Sequence, residues 1–355
     1  MEAFIKKSIG IDVSKDKLDF CACGIDMQQR TKIKGSRKLA NSPAGIKEAL
    51  LWVRKHSKED IPLTITMEAT GVYHEQLALA LQKEGFRVSI VLPNKAKKYM
   101  ESLGLRSKTD GNDAHGLARM GAEQHLERWE PKSLLYYELR TLTRHHEDLQ
   151  GSITSYNNRL HAMQRGMYRN EDLEQTMQDF IEHMEHMVKE VEQQIHQLIK
   201  QHPELKRKVQ KLTSIKGVGE LTAATIIGET NGFALFTNSK QLEKYTGYDV
   251  VENQSGKRVG KTKISKKGNS HIRRILHMPA LNAVTYNVTP FVQLYDRVFE
   301  RTRIKMKGYV AVQRKLLVMM YTLWKKDEMF NSKTPLDNYQ REEPKPSFGL
   351  ASQKP

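Results

Sequence analysis

Four carboxylates in three separated stretches carry the clearest chemistry in the chain. Asp12 interrupts the apolar run Ser8-Ile9-Gly10-Ile11-Asp12-Val13-Ser14, and Glu68 ends Leu63-Thr64-Ile65-Thr66-Met67-Glu68. Asp110 and Asp113 stand three apart in Lys108-Thr109-Asp110-Gly111-Asn112-Asp113-Ala114, a spacing that shares a helix face. Strand ends and a helix start can meet at one point. Four carboxylates gathered there repel one another unless a cation neutralises them, and hard oxygen donors suit Mg²⁺, with Mn²⁺ as the alternative. Two such ions activate an attacking oxygen and stabilise a leaving one at a phosphodiester. Taken singly, each acid reads equally well as a helix cap or a surface turn, and Asp110 could simply cap the helix running to Met120. The joint pattern says more, because Asp12 falls inside a strand, where Asp is disfavoured.

A second constellation is basic. Between Asn253 and Tyr295 there is no acidic residue, while Lys257, Arg258, Lys261, Lys263, Lys266, Lys267, Arg273 and Arg274 cluster tightly. A run this one-sided favours a nucleic-acid track over an ordinary solvated face. Inside it, Gln254-Ser255-Gly256-Lys257 holds a serine whose alkoxide the basic side chains could stabilise for attack on a phosphodiester; Ser-Gly is also ordinary turn chemistry. Upstream, Lys216-Gly217-Val218-Gly219 between apolar helical stretches reads as a helix-hairpin-helix, with backbone N–H groups of Gly217 and Gly219 turned to a DNA phosphate.

The elements that must position these groups follow from periodicity. Strands are expected at Ile5–Val13, Lys17–Cys23 and Arg30–Lys34, the first two joined by the turn Ser14-Lys15-Asp16. A helix at 43–56 follows, with Ser42 as N-cap before Pro43. Then come a strand at 62–67, a helix at 72–84, a strand at Arg87–Leu92 and short helices from Pro93 to Glu123. Three antiparallel strands followed by alternating helix and strand is the order of an RNase H-like sheet. From Leu134 the pattern changes to a seam, Leu135, Leu139, Leu142, His146, Leu149, Ile153, Tyr156, Leu160, Met163 and Met167, in steps of four and three. His146 is expected to be a satisfied core histidine, and Gly166 with Tyr168-Arg169-Asn170 should end the helix. A second seam runs through Leu173, Met177, Phe180, Met184, Met187, Val191, Ile195 and Leu198. Two such stripes can pack on each other or on another subunit, and predict self-association. Further helices are expected at 238–246, 269–286, 291–305 and 309–326, with 248–264 irregular or a hairpin. The expected domains are 1–130, α/β and carrying the acids; 131–203, coiled-coil helices; 204–330, mainly helical; and a tail at 331–355 whose Pro, Lys, Ser and Glu content reads as disordered.

Composition narrows the partners. The 355 residues carry a formal net charge of +17, which favours a polyanion. No apolar run is long enough to span a bilayer and no signal-peptide pattern is present, so a soluble, cytoplasmic protein with no membrane partner is expected. Cys21 and Cys23 are the two cysteines and are expected to be reduced, forming neither a disulfide framework nor a zinc site.

The motifs around Asp12, Glu68, Asp110 and Asp113, then Gly217-Val218-Gly219 with Thr222-Ala223-Ala224, then Gln254-Ser255-Gly256-Lys257 through Lys266-Lys267-Gly268-Asn269 to Arg273-Arg274, occur in one order. In that order the chain, over about residues 8 to 330, resembles the DEDD-type transposases of the insertion-sequence-one-hundred-and-ten family. The resemblance implies a RuvC-like N-terminal domain with Asp12, Glu68, Asp110 and Asp113 as its metal-binding catalytic acids. It also implies a C-terminal transposase domain with Ser255 as nucleophile. Many relatives carry a further serine before the Ser-Gly pair; Gln254 stands there in this chain. A homo-oligomer, dimer or tetramer, acting on donor and target DNA under a structured guide RNA (a bridge RNA) in a bacterial or archaeal nucleoid is the implied setting. Three rivals remain. One is a tyrosine recombinase using His271-x-x-Arg274 with Tyr286, Tyr295 or Tyr309. The others are a metal-dependent Holliday-junction nuclease working with water, and a coiled-coil nucleic-acid scaffold without activity.

Overall fold

A computed structural model describes residues 4–57, 61–69, 71–104, 110–251, 254–255, 258–259 and 263–331, the side chains at 110–111, 254–255 and 258–259 excepted. The chain divides into two compact units, Met1–Pro131 and Lys132–Pro355.

The first unit is built on a five-stranded sheet of β1 (Phe4–Val13), β2 (Lys17–Asp26), β3 (Thr31–Ala40), β4 (Leu63–Glu68) and β5 (Val88–Val91), in the order β3-β2-β1-β4-β5. β1–β3 are antiparallel neighbours, and β4 and β5 run parallel to β1. This is the order expected from sequence. The β1–β2 turn is closed by Ser14, whose hydroxyl accepts from the Lys17 N–H. β3 runs to Ala40, beyond the expected end at Lys34, because it pairs along β2 from Ile25↔Thr31 to Lys17↔Ala40. The ladder overrides the turn tendency of Gly35-Ser36.

Helix α1 (Pro43–His56) starts as its sequence predicts, with the Ser42 hydroxyl accepting from the Gly45 N–H. α2 (Glu75–Lys83) follows β4. Both lie on one face of the sheet, where Ile9, Ile11, Phe20, Ile65 and Met67 pack with Ala49, Trp52, Val53, Leu77 and Leu81. α3 (Pro93–Ser102) and α4 (Asp110–Glu123) complete the unit. α4 covers the other face, its Ala114, Ala118 and Ala122 set against Cys21, Cys23 and Ile25. Both cysteines are free and buried. Burial pushes the Cys21 thiol up to about 11 and Cys23 up to about 12, the latter with help from its neighbouring thiol.

The second unit is mainly helical. Its first two helices, α5 (Leu134–Gln164) and α6 (Glu171–Gln201), pack on each other within the chain. The turn between them falls at Gly166–Asn170, where Asn170 caps α6 through the Leu173 N–H. Leu139, His146, Leu149, Ile153 and Leu160 of α5 are buried as the seam predicts. On α6 Met184, Val191, Ile195 and Leu198 are buried as the seam predicts, but Ile181 and Val188 are buried beside them while Leu173 and Phe180 stay exposed. Phe180 holds the edge of the pair, 4.9 Å from the Tyr156 ring. His146 is satisfied, with Nε2 3.0 Å from Glu192 Oε1.

α7 (Pro203–Thr213) and α8 (Glu220–Thr230), buried from Thr222 onward, follow, then α9 (Ser239–Thr246). Four two-residue strands come next: β6 (Val250–Val251), β7 (Gln254–Ser255), β8 (Arg258–Val259) and β9 (Lys263–Ile264). β6 pairs with β9 and β7 with β8, both antiparallel. The single helix expected at 269–286 is two, α10 (Ser270–Ile275) and α11 (His277–Thr285). Pro279 explains the break: it has no N–H for the Ile275 carbonyl and its ring crowds it, so it fits the first turn of a new helix instead. α12 (Thr289–Thr302) and α13 (Lys305–Lys326) close the unit.

Candidate active site and nucleic-acid interface

Convergence of the acids in the first unit is a matter of strand register and one helix. Ile11 is the Cα partner of Met67 in the parallel β1–β4 pair, so Asp12 and Glu68 leave adjacent strands side by side. Their face is fixed by packing. A Cβ at Gly10 would collide with the Ala114 carbonyl and the Ala118 N–H, and a Cβ at Gly121 would collide with the Ser8 and Thr66 hydroxyls. Ser8, Gly10 and Thr66 therefore lie beneath α4, and by the two-residue alternation of a strand so do Asp12 and Glu68. α4 runs from Asp110 and Asp113 at the Asp12 end to Gly121 at the Ser8 end. Asp12, Glu68 and Asp113 are each half-buried. The sequence thus delivers the acids of β1, β4 and α4 to one end of one face. The Asp110 side chain lies outside the described residues, and among those described no three acidic, histidine or cysteine groups stand close enough to hold a metal. The donors are all hard oxygens, the chemistry Mg²⁺ or Mn²⁺ requires.

The structure adds a neighbour that the sequence reading missed. Asp19 is the Cα partner of Asp12 across β1–β2, and Lys38 is the partner of Asp19 across β2–β3. Directly opposed residues share a face. Asp19 is buried, and its Oδ1 lies 2.9 Å from Lys38 Nζ. An Asp inside a strand was the available signal, as it was for Asp12. His115, one turn beyond Asn112 on α4, has its pKa lowered by burial and by the charge of Arg119.

In the second unit the basic residues have unequal surroundings. Arg273 Nη1 donates to the carbonyls of Thr246 (2.7 Å) and Asn269 (3.3 Å). Arg274 pairs with Glu147 of α5, which also holds His271 Nδ1 at 2.6 Å. Lys263, Lys266 and Lys267 are exposed or half-exposed. Lys257 and Lys261 lie outside the described residues, as does the Arg258 side chain. Ser255 is the Cα partner of Arg258 in the β7–β8 pair. Gly217 sits at φ 99°, where a Cβ would meet the Asn282 Cβ at 3.0 Å and a side chain would be strained, and Gly219 precedes α8 with open space around it. Lys216 lies over the Tyr286 ring at 5.0 Å. Tyr295 stacks among Tyr309 and Phe299, its ring 4.8 Å from that of Tyr309.

One buried charge, absent from the sequence reading, organises this region. Glu229 of α8 accepts from Arg144 Nε (2.6 Å) and Nη2 (3.0 Å) and from Asn269 Nδ2 (2.6 Å). Asn269 in turn caps α10 through the Ile272 N–H. Burial acts to raise the Glu229 pKa, but the hydrogen bonds from Arg144 and Asn269 and the charges of Arg144 and Arg140 hold it below the usual glutamate value. Among the described residues no helix is long and apolar enough to cross a membrane.

Comparison with known proteins adds two kinds of likeness. The chain is 29% identical over 329 residues to the pilin gene-inverting protein of Moraxella bovis, covering 92% of this chain and 98% of that one. The Moraxella lacunata protein of the same name matches to the same extent. Two solved structures are loosely similar. One is Thermus thermophilus RuvC, at 14% identity and a TM-score of 0.29 over 35% of this chain and 99% of that one. The other is T. thermophilus RuvC in complex with a Holliday junction substrate, at 15% and 0.26 over 32% and 90%. A DEDD transposase profile matches residues 9–169, taking in all four acids, and a profile described as "Transposase IS116/IS110/IS902 family" matches residues 209–296, taking in Ser255 and the basic stretch. With both halves matched in order, the chain belongs to the IS110 family of transposases.

Proposed function

We propose that this transposase cuts and rejoins DNA strands with Asp12, Glu68, Asp110 and Asp113 as its metal-holding acids and Ser255 as its nucleophile, at sites chosen by a structured guide RNA. The observation that carries the reading is the strand register that sets Asp12 beside Glu68 on the face covered by α4. Mg²⁺ held by those acids would supply positive charge to the oxygens of the reacting phosphodiester. In the covalent step the Ser255 hydroxyl oxygen bonds to phosphorus as one sugar–oxygen bond to phosphorus breaks. The serine gives up its proton and the departing sugar oxygen gains one. Return of a sugar hydroxyl onto that phosphorus restores the serine and joins a new strand. The β7–β8 pairing supports this role, since it sets Ser255 opposite the basic residue Arg258. DNA inversion, the reaction named for the Moraxella relatives, is a recombination of this kind.

The basic residues between 257 and 274 and the Gly217–Gly219 turn, read as the hairpin of a helix-hairpin-helix, would contact phosphates, which position a duplex without reading its sequence. Site choice then falls to the RNA. Several cuts must be held together, which favours an oligomer, and the largely exposed Met167, Tyr168, Leu173 and Phe180 at the α5–α6 turn offer an apolar surface for it. The test is a trapped cleavage complex digested with protease: a peptide containing Ser255 should remain on a DNA end. A label on Tyr286, Tyr295 or Tyr309, or none, would overturn the serine assignment. Site-specific recombination by protein stripped of RNA would overturn the guide.

A further inference from the structure

Beside the acids lies a cleft of about 420 Å³ that no role above uses. It is lined by Asp19, Ser36 and Lys38 from β2 and β3 and by Asn112 and His115 from α4. Its size falls in the roughly 300–1,000 Å³ range of small-ligand sites. The cleft begins where the acidic site ends, because Asp12, Asp19 and Lys38 form one row across β1, β2 and β3. Asp19 is buried, whereas the Lys38 side chain is 72% exposed, so the ion pair anchors the ammonium at the cleft rim. Arg37 and Lys38 line the cleft from β3, Arg37 also pairing with Glu48 at 3.1 Å, and there is no Asp or Glu from Met27 to Lys47.

We propose that this cleft is a phosphate-binding subsite for the DNA strand cut at the acids, with Lys38 meeting the backbone phosphate of a flanking nucleotide. The inference rests on the reading that Asp12 and its partners act on DNA. Ser36, Asn112 and His115 supply hydroxyl, amide and imidazole groups suited to phosphate and sugar oxygens, while Asp19 fixes where the lysine stands. DNA is favoured over RNA as the occupant because the row that bears Lys38 starts at Asp12. A strand whose phosphodiester lies at the acids must continue past one side of them, and this is the side where the Lys38 side chain stands exposed.

Two experiments test it on the full chain. In the first, a photoreactive benzoylphenylalanine replaces Ser36 and the DNA nucleotide it attaches to is mapped against the cut; attachment within one or two nucleotides of the cut is expected. Attachment to RNA, to distant DNA or to nothing would overturn the subsite. In the second, Lys38→Gln is made in an Asp19→Asn background, so that no buried carboxylate is left unpaired, and compared with Asp19→Asn alone. DNA affinity in Ca²⁺, without cutting, should fall roughly three- to tenfold, with the salt slope reduced by about one. Lys47→Gln, on α1 across the sheet, serves as the charge control. An unchanged affinity, or an equal loss in the control, would refute the role of Lys38. An Asp12→Asn protein that still cuts would instead sink the catalytic reading, which the binding measurement does not depend on.

Discussion

At the scale of single residues, Glu229 joins three parts of the second unit through one buried carboxylate. It ties α5 to α8 through Arg144 and to the α10 cap through Asn269. Removing one partner of a buried charge cluster leaves the others uncompensated. Glu229→Ala should therefore cost about 3–5 kcal/mol, read as a lower midpoint in chemical denaturation. Its pH dependence has a definite sign. The folded pKa lies below the unfolded value of about 4.3, so the stabilisation is complete above that pH and lost as pH falls through the folded value. The stability gap between wild type and Glu229→Gln should narrow below about pH 4.3; a gap constant down to pH 3 would refute the assignment. The buried cysteines make a second case. With the Cys21 and Cys23 thiols pushed up to about 11 and about 12, alkylation by iodoacetamide at pH 7.5 should be slow in the native protein and fast after unfolding.

At the scale of elements, α4 is held against the sheet by the absence of side chains. Gly10 admits Ala114 and Ala118 onto β1, and Gly121 admits the Ser8 and Thr66 hydroxyls. Gly10→Ala should lift the helix that carries Asp110 and Asp113, lowering stability by roughly 1–3 kcal/mol. DNA cleavage should be lost at temperatures where the variant is still folded by circular dichroism. Retained cleavage would show that α4 need not lie on Gly10. The α5–α6 pair offers a contrast between neighbours. Ile181 is buried and Phe180 is 44% exposed, so Ile181→Asp should destabilise by about 3 kcal/mol or more and Phe180→Asp by much less. Equal losses would restore the seam as read from sequence.

At the scale of the whole molecule, the net charge of +17 and the acidic site should separate in experiment. Asp12→Asn with Glu68→Gln should abolish strand cleavage yet leave nucleic-acid affinity and its steep salt dependence nearly intact, since phosphate contact is made by the basic residues. Loss of binding in step with cleavage would place the acids in a structural role instead. The sequence by itself determined the order of strands and helices in the first unit, the α1 cap at Ser42, the turn at Gly166–Asn170 and the positions of Asp12 and Glu68. Each of these is written in local periodicity, capping chemistry or a polar residue inside an apolar run. It did not reveal that β3 runs on to Ala40, that the helix expected at 269–286 breaks before Pro279, or that Ile181 is buried while Phe180 stays at the edge of the α5–α6 pair. Nor did it reveal that Asp19 and Lys38 extend the row begun by Asp12, or that Glu229 anchors the α10 cap. Those outcomes depend on which residues meet across strands and between helices far apart in sequence, and only tertiary packing sets that register.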